Sequence, residues 1–166
     1  MKLIIFDFDD TLFFTPNKTD ENLEKINQNR QNKITGWWGR PESLDMKLFD
    51  IPINQSMCNV YNENITARKI LVTGRIKRCS NMVKQILDKN ELYLDKLYFC
   101  DHRKTVDFKM DIFEKEIGFM GYEDVEIYDD RKEHIEDFIN LVDRLNEQGA
   151  SISFFNVDGN KVNRLR

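Results

Sequence analysis

The sequence predicts an α/β fold, with a mainly parallel central sheet covered by helices on both faces. Short apolar or β-branched runs recur at Leu3–Phe6, Lys69–Thr73, Leu97–Cys100, Val125–Tyr128 and Ser151–Phe155. Their near-continuous apolar middles are those of strands buried on both faces. Amphipathic helical patterns fill the intervals from the second run onward, as strand-crossover-strand units require. Asp7, Thr73 and Asp129 stand at the ends of three runs, and in an open parallel sheet the site lies at the carboxyl ends of the strands. At 166 residues the chain is expected to form one domain, residues 1–166, with a core that needs no staples.

The first strand ends in Asp7, Asp9 and Asp10. Ionised carboxylates this close repel one another and resist desolvation unless a cation or fixed donors hold them, so the cluster suggests a metal site. On an extended segment Asp7 and Asp9 reach one pocket while Phe8 points into the core. Thr15-Pro16-Asn17 then marks a turn, and residues 15–65 form a polar, Asn-rich insert without sustained periodicity. Within it, Thr19 to Gln31 reads as a helix with a sparse apolar face of Leu23 and Ile26. Gly36-Trp37-Trp38-Gly39-Arg40-Pro41 carries both tryptophans of the chain. Large aromatics pin irregular loops to a core, which is the expected role; the alternative is a platform for a substrate base or sugar.

After the second strand Gly74 allows a tight turn, and residues 76–89 read as a helix with Ile76, Val83, Ile86 and Leu87 on one stripe. A helix from Thr105 to about Ile117 is bracketed by Gly118 and Gly121. The next helix, residues 132–147, carries Ile135, Phe138, Ile139, Val142 and Leu145 at helical spacing and ends before Gly149. The residues beyond the fifth strand are expected to fray.

The net charge of −4 argues against a broadly basic nucleic-acid binder. Yet Arg75-Ile76-Lys77-Arg78, His102-Arg103-Lys104 and Arg131-Lys132 follow strand ends, and such a rim would steer a polyanion to an acidic centre. The alternative is a set of solvated charges balancing nearby carboxylates. Cys58, Cys79 and Cys100 are unpatterned and read as reduced, Cys100 as a small buried hydrophobe rather than a nucleophile. His102 and His134 have no ligand spacing. No apolar stretch approaches a membrane span and the N-terminus shows no signal-peptide layout, so a cytoplasmic monomer or weak oligomer is expected.

Asp7-Phe8-Asp9-Asp10-Thr11-Leu12 resembles the first motif of the haloacid dehalogenase superfamily of phosphohydrolases. Leu71-Val72-Thr73-Gly74-Arg75 resembles the second, Lys109 in Thr105-Val106-Asp107-Phe108-Lys109 the third, and Ile127-Tyr128-Asp129-Asp130-Arg131 the fourth. The resemblance implies a three-layer, Rossmann-like fold with a small insert in place of a full cap domain. It further implies a Mg²⁺-dependent phosphohydrolase working through an aspartyl-phosphate. Asp7 would be the nucleophile and Asp9 the general acid and base, while Thr73 and Lys109 hold the phosphoryl oxygens, with Lys104 the alternative lysine. Asp7, the backbone carbonyl of Asp9, and Asp129 or Asp130 would hold the metal. Thr11, Gly74, Arg75 and Arg131 are placed toward the substrate, Thr11 also bracing the loop.

The Thr-Gly-Arg and Asp-Asp-Arg stretches look like those of polynucleotide kinase 3′-phosphatases. The Gly-Trp-Trp-Gly-Arg-Pro segment ahead of Leu-Val-Thr-Gly-Arg is similar to the phosphatase-like domains of Swiss-army-knife RNA-repair proteins. There is no Gly-rich Lys-Ser/Thr element and hence no kinase site in this sequence. The implied activity is removal of a terminal phosphate from an RNA or DNA end. A phosphatase of small metabolites or nucleotides, and a non-catalytic binding domain on the same fold, are the alternatives.

Overall fold

A computed structural model of the chain describes residues 1–120, 122 and 124–166, apart from the side chains of Phe119 and Met120. The strands β1 (Lys2–Phe6), β2 (Arg68–Ile76), β3 (Lys96–Cys100), β4 (Asp124–Asp129), β5 (Ile152–Asp158) and β6 (Lys161–Arg164) form one sheet in the order β3-β2-β1-β4-β5-β6. All neighbours are parallel except the antiparallel pair β5–β6. The helices are α1 (Asp20–Asn27), α2 (Gln55–Glu63), α3 (Ser80–Lys89), α4 (Thr105–Met120) and α5 (Ile135–Glu147). This is the expected α/β, Rossmann-like architecture. Because β1 pairs with β2 on one side and β4 on the other, the strand order reverses beside it, and the crevice at its carboxyl end is the natural site.

Alternation along the strands divides the core. Leu3, Ile5, Ile70, Val72, Val125, Ile127 and Phe154 pack with Phe113 and Ile117 of α4 and Phe138, Leu141 and Val142 of α5. Ile4, Phe6, Leu71, Tyr128 and Val157 face the other way, onto Val83, Ile86 and Leu87 of α3. Ile26, Ile34, Trp37, Leu44, Phe49, Ile51 and Met57 join this second cluster, so the insert covers one sheet face beside α3. By the same parity Asp7 and Asp129 emerge on the α4 side, while Phe8 returns fully buried to the insert side.

Several local expectations are corrected. The chain after Phe155 does not fray: it continues β5 and returns as β6, with Asp158 paired to Lys161 across a two-residue connection that contains Gly159 at φ 60°. Helix α4 runs through Gly118, and Gly121 lies outside the described residues. Helix α1 is shorter than expected: Thr19 caps it at Asn22 N (3.1 Å) and it stops at Asn27, whose side chain bonds both backbone groups of Ile34. Helix α2 is an addition, capped by Asn54 on Ser56 N (3.0 Å). The strand β2 does not turn at Gly74 but continues through an irregularity to Ile76. The three cysteines are free, with Cys79 and Cys100 buried. Among the described residues no helix is long and apolar enough to cross a membrane.

Candidate active site

The loop after β1 is folded tightly on itself. Asp7 N donates to Tyr128 O (3.0 Å), Phe13 N to Phe8 O (3.0 Å) and Asp10 N to Phe13 O (2.8 Å). Asp10 takes a left-handed conformation, φ 52°, which Asp tolerates better than most residues. Thr11 is fully buried inside this loop and its hydroxyl has no hydrogen-bond partner. That placement suits bracing.

Asp7 and Asp129 converge on Lys109, carried inward by α4. Lys109 is completely buried and its Nζ lies 2.8 Å from Asp7 Oδ1 and 2.5 Å from Asp129 Oδ2. Lys104 is exposed at the helix start, where its carbonyl accepts from Phe108 N, so Lys109 is the lysine of this centre. Burial alone would lower the Lys109 pKa, but the charges of Asp129 and Asp7 outweigh it and hold the ammonium well above its usual range. Asp7 is pushed up, first by burial and then by the charges of Asp129 and Asp9, against the pull of Lys109. Asp130 is also pushed up, by burial and by the charges of Asp7 and Asp129.

One carboxylate oxygen from each of Asp7, Asp129 and Asp130 lies within 4.8 Å of the other two, and Asp130 Oδ1 is buried without a hydrogen-bond partner. Three crowded carboxylates facing one ammonium leave negative charge uncompensated. The donor set therefore fits a hard, oxygen-seeking divalent cation. Asn156, at the end of β5, donates to the carbonyls of Asp129 (3.2 Å) and Asp130 (3.1 Å), and Arg131 N donates to Asp129 Oδ1 (3.0 Å). These bonds fix the loop carrying the two carboxylates.

Asp9 is held from a different direction. Arg75 is nearly fully buried and forks onto it, Nε to Oδ1 (3.1 Å) and Oδ2 (3.0 Å), Nη2 to Oδ1 (2.7 Å). Its Nη1 donates to Ser43 Oγ (2.7 Å) and Trp38 O (3.1 Å) of the insert. Thr15 Oγ1 adds a 2.7 Å bond to Asp9 Oδ1. Arg75 is thus internal, a correction to its place on a basic rim. Arg103 is spoken for by Asp101 (2.8 Å) and Asp111, and Lys132 by Asp158 (2.9 Å). Lys77 and Arg78 are exposed, and Arg131 borders the cleft.

Thr73 is fully buried in β2 just ahead of its irregularity, where its hydroxyl accepts from Arg75 N (3.1 Å) and keeps its own proton to donate. Gly74 is required by a close approach: a Cβ there would stand 2.9 Å from Thr105 Cγ2, at the first turn of α4. A side chain at 74 would force the Thr105 side chain to shift. Thr15, Ser43 and Asn156 were not singled out by sequence reasoning. Only Asn156 had a signal, its position just past a predicted strand at the carboxyl edge of the sheet.

The fold and this centre are those of the haloacid dehalogenase class. The family described as "HAD domain family 1 in Swiss Army Knife RNA repair proteins" matches residues 16–164, and the chain belongs to it. No curated protein matches the chain. Among solved structures it is similar to a chain in "Structure of Pnkp1/Rnl/Hen1 complex", with 21% identity and a TM-score of 0.59 over 94% of this chain and 45% of that one. It is likewise similar to a chain in "Structure of the Pnkp1/Rnl/Hen1 RNA repair complex", with 20% identity and a TM-score of 0.60 over 93% and 42%. The chain thus spans less than half the length of these solved chains, and the likeness shows the shared fold.

Proposed function

We propose that the protein removes the terminal phosphate from a nucleic-acid end, of the 3′-phosphatase type, through an aspartyl-phosphate on Asp7. The observation that carries this reading is the buried Asp7–Lys109–Asp129 centre with Asp130 beside it, at the carboxyl end of β1. A structural ion pair does not call for further carboxylates beside it, whereas a metal-assisted phosphoryl-transfer site uses them to hold its cation. The family's occurrence in RNA-repair proteins supports the nucleic-acid substrate.

Asp7, Asp129, Asp130 and the Asp9 carbonyl would hold Mg²⁺, which when bound offsets the charge on the phosphate and on the carboxylates around it. Asp7 attacks phosphorus through a carboxylate oxygen, and the bond from phosphorus to the leaving oxygen breaks. Asp9 gives that oxygen its proton. Oδ1 of Asp9 already accepts from Thr15 and Arg75, whereas Oδ2 takes only the Arg75 Nε bond, so Oδ2 is the oxygen that carries the proton. In the second step Asp9 takes a proton from water as it attacks phosphorus. The bond to Asp7 then breaks, releasing phosphate and restoring the Asp7 carboxylate and the protonated Asp9. Lys109 and the Thr73 hydroxyl hold phosphoryl oxygens through both steps.

The test is phosphate release with Mg²⁺ from oligonucleotides phosphorylated at the 3′ or 5′ end, mononucleotides and glycerol phosphate. Preference for a 3′-phosphorylated oligonucleotide is expected. Equal or better turnover of the small esters would make this a metabolite phosphatase, and no release from any ester, with metal bound, would make it a binding domain.

A further inference from the structure

The adjacent tryptophans of the insert have separate fates. Trp37 is buried, its Nε1 donates to Pro16 O (2.8 Å) and its ring meets Phe49 edge-on. Trp38 is 41% exposed although it is a large aromatic. It borders a cleft of about 690 Å³ that also reaches Asp9, Asp10 and Asp130, with Phe14 and Val157 on its apolar walls. The Arg75 guanidinium lies 4.9 Å from the centre of the Trp38 ring and bonds the Trp38 carbonyl while it forks onto Asp9. One cation therefore fixes the ring and the acid together.

We infer that Trp38 is the stacking platform for the base of the terminal nucleotide, and so sets the preference of the site for phosphates borne on a nucleoside. The inference rests on the phosphatase reading above. Asp9 protonates the leaving oxygen, so the leaving group occupies the side of the centre where Asp9 is, and the cleft on that side is Trp38's. The volume falls within the range of small-ligand sites and accommodates a nucleoside. The electrostatics exclude a dense polyanion track in this cleft. Its two cations, Arg131 and Lys132, face Glu133 and Asp158, and Lys132 is bound to Asp158 at 2.9 Å. A neutral aromatic group meets no penalty there, and every base offers a face to an exposed indole.

The experiment compares oligonucleotides phosphorylated at either end whose phosphate-bearing nucleoside is adenosine or an abasic sugar, with glycerol phosphate and a phosphoserine peptide alongside. The wild-type protein should favour the adenosine end over the abasic end about tenfold in kcat/KM. Trp38→Ala should reduce that ratio to about one, while Trp38→Phe retains most of it. An independent reading is binding to the Asp7→Asn variant, where the adenosine-ended oligonucleotide quenches tryptophan fluorescence and the additional change Trp38→Phe removes the quenching.

A wild-type ratio of one, a preference that survives Trp38→Ala, or better turnover of the phosphoserine peptide would overturn the assignment and leave the phosphatase reading intact. Failure of the wild-type protein to hydrolyse any of these esters would sink the phosphatase reading instead. The quenching titration would still decide whether Trp38 receives a base.

Discussion

Two cations are buried at the carboxyl edge of the sheet, and they leave their surroundings in opposite states. Arg75, on the insert side, is satisfied: all three guanidinium nitrogens are bonded, to Asp9, Ser43 and the Trp38 carbonyl. Lys109, on the α4 side, is outnumbered by Asp7, Asp129 and Asp130. A planar fork closes a structure, and a point charge among three carboxylates leaves room for another cation. The protein therefore has a finished joint between insert and sheet beside an unfinished electrostatic centre, and Asp9 belongs to the first while working at the second.

The largest effect expected is on chemistry. Asp7→Asn should reduce phosphate release by roughly 10⁴-fold or more while circular dichroism and the melting transition are retained. Retained turnover would remove the nucleophile from the centre and reduce Lys109 to a structural ion pair.

The comparison itself is broken or sharpened by removing each cation with and without Mg²⁺. Lys109→Met leaves Asp7 and Asp129 buried without their partner and should cost about 3–5 kcal/mol in urea unfolding with chelator present; Mg²⁺ should restore part of that. Arg75→Met should cost a similar ~3–5 kcal/mol, but with no difference in its recovery between Mg²⁺ and chelator, because it holds the Asp9 carboxylate, whereas only the backbone carbonyl of Asp9 is proposed for the metal. Equal rescue of both variants would mean that the two sites are one electrostatic unit.

The tryptophans extend the same contrast. Trp37→Ala empties a buried position and loses the bond to Pro16, for about 3–5 kcal/mol of stability. Trp38→Ala removes a half-exposed ring, at about 1 kcal/mol or less. Unfolding midpoints that move equally would contradict the division between anchor and cleft wall.

These differences also explain what was legible in the sequence. Asp7, Thr73 and Asp129 could be read because each ends an apolar run of the sequence, where period and apolar content are strong signals and the parallel sheet brings those positions together. Lys109 was not separable from Lys104 by helix phase, since each lies four residues before a buried phenylalanine, Phe113 and Phe108; the burial of Lys109 against Asp7 and Asp129 decides between them. Arg75 was not legible. An arginine one residue past a turn-forming glycine reads as surface, and only the continuation of β2 to Ile76 turns it inward. Helix α2 hid for another reason: Met57 is its only fully buried residue, too little for a periodicity. Its Asn54 cap bonds Gly159 O in the β5–β6 turn, a contact 105 positions away that no local pattern announces. The segment held by single, long-range polar contacts is the one that could not be read.

A pH dependence acts through protons rather than contacts, and its sign follows from the unfinished centre. Burial raises Asp7 and Asp130 above their ordinary carboxylate range, so without metal the folded state binds protons that the unfolded chain has released. Where the unfolded state binds fewer protons, stability falls as pH rises. Between the ordinary carboxylate range and the raised values, the metal-free protein should lose at most about 1.4 kcal/mol per pH unit for each such proton. Mg²⁺ favours the ionised carboxylates, so the stabilisation it adds should grow over the same interval and flatten the profile. Thermal unfolding from pH 5 to 8, with chelator and with Mg²⁺, should give two curves that diverge upward in pH. Parallel curves would mean that these carboxylates already sit ionised against Lys109, with no vacancy of charge left for a cation to fill.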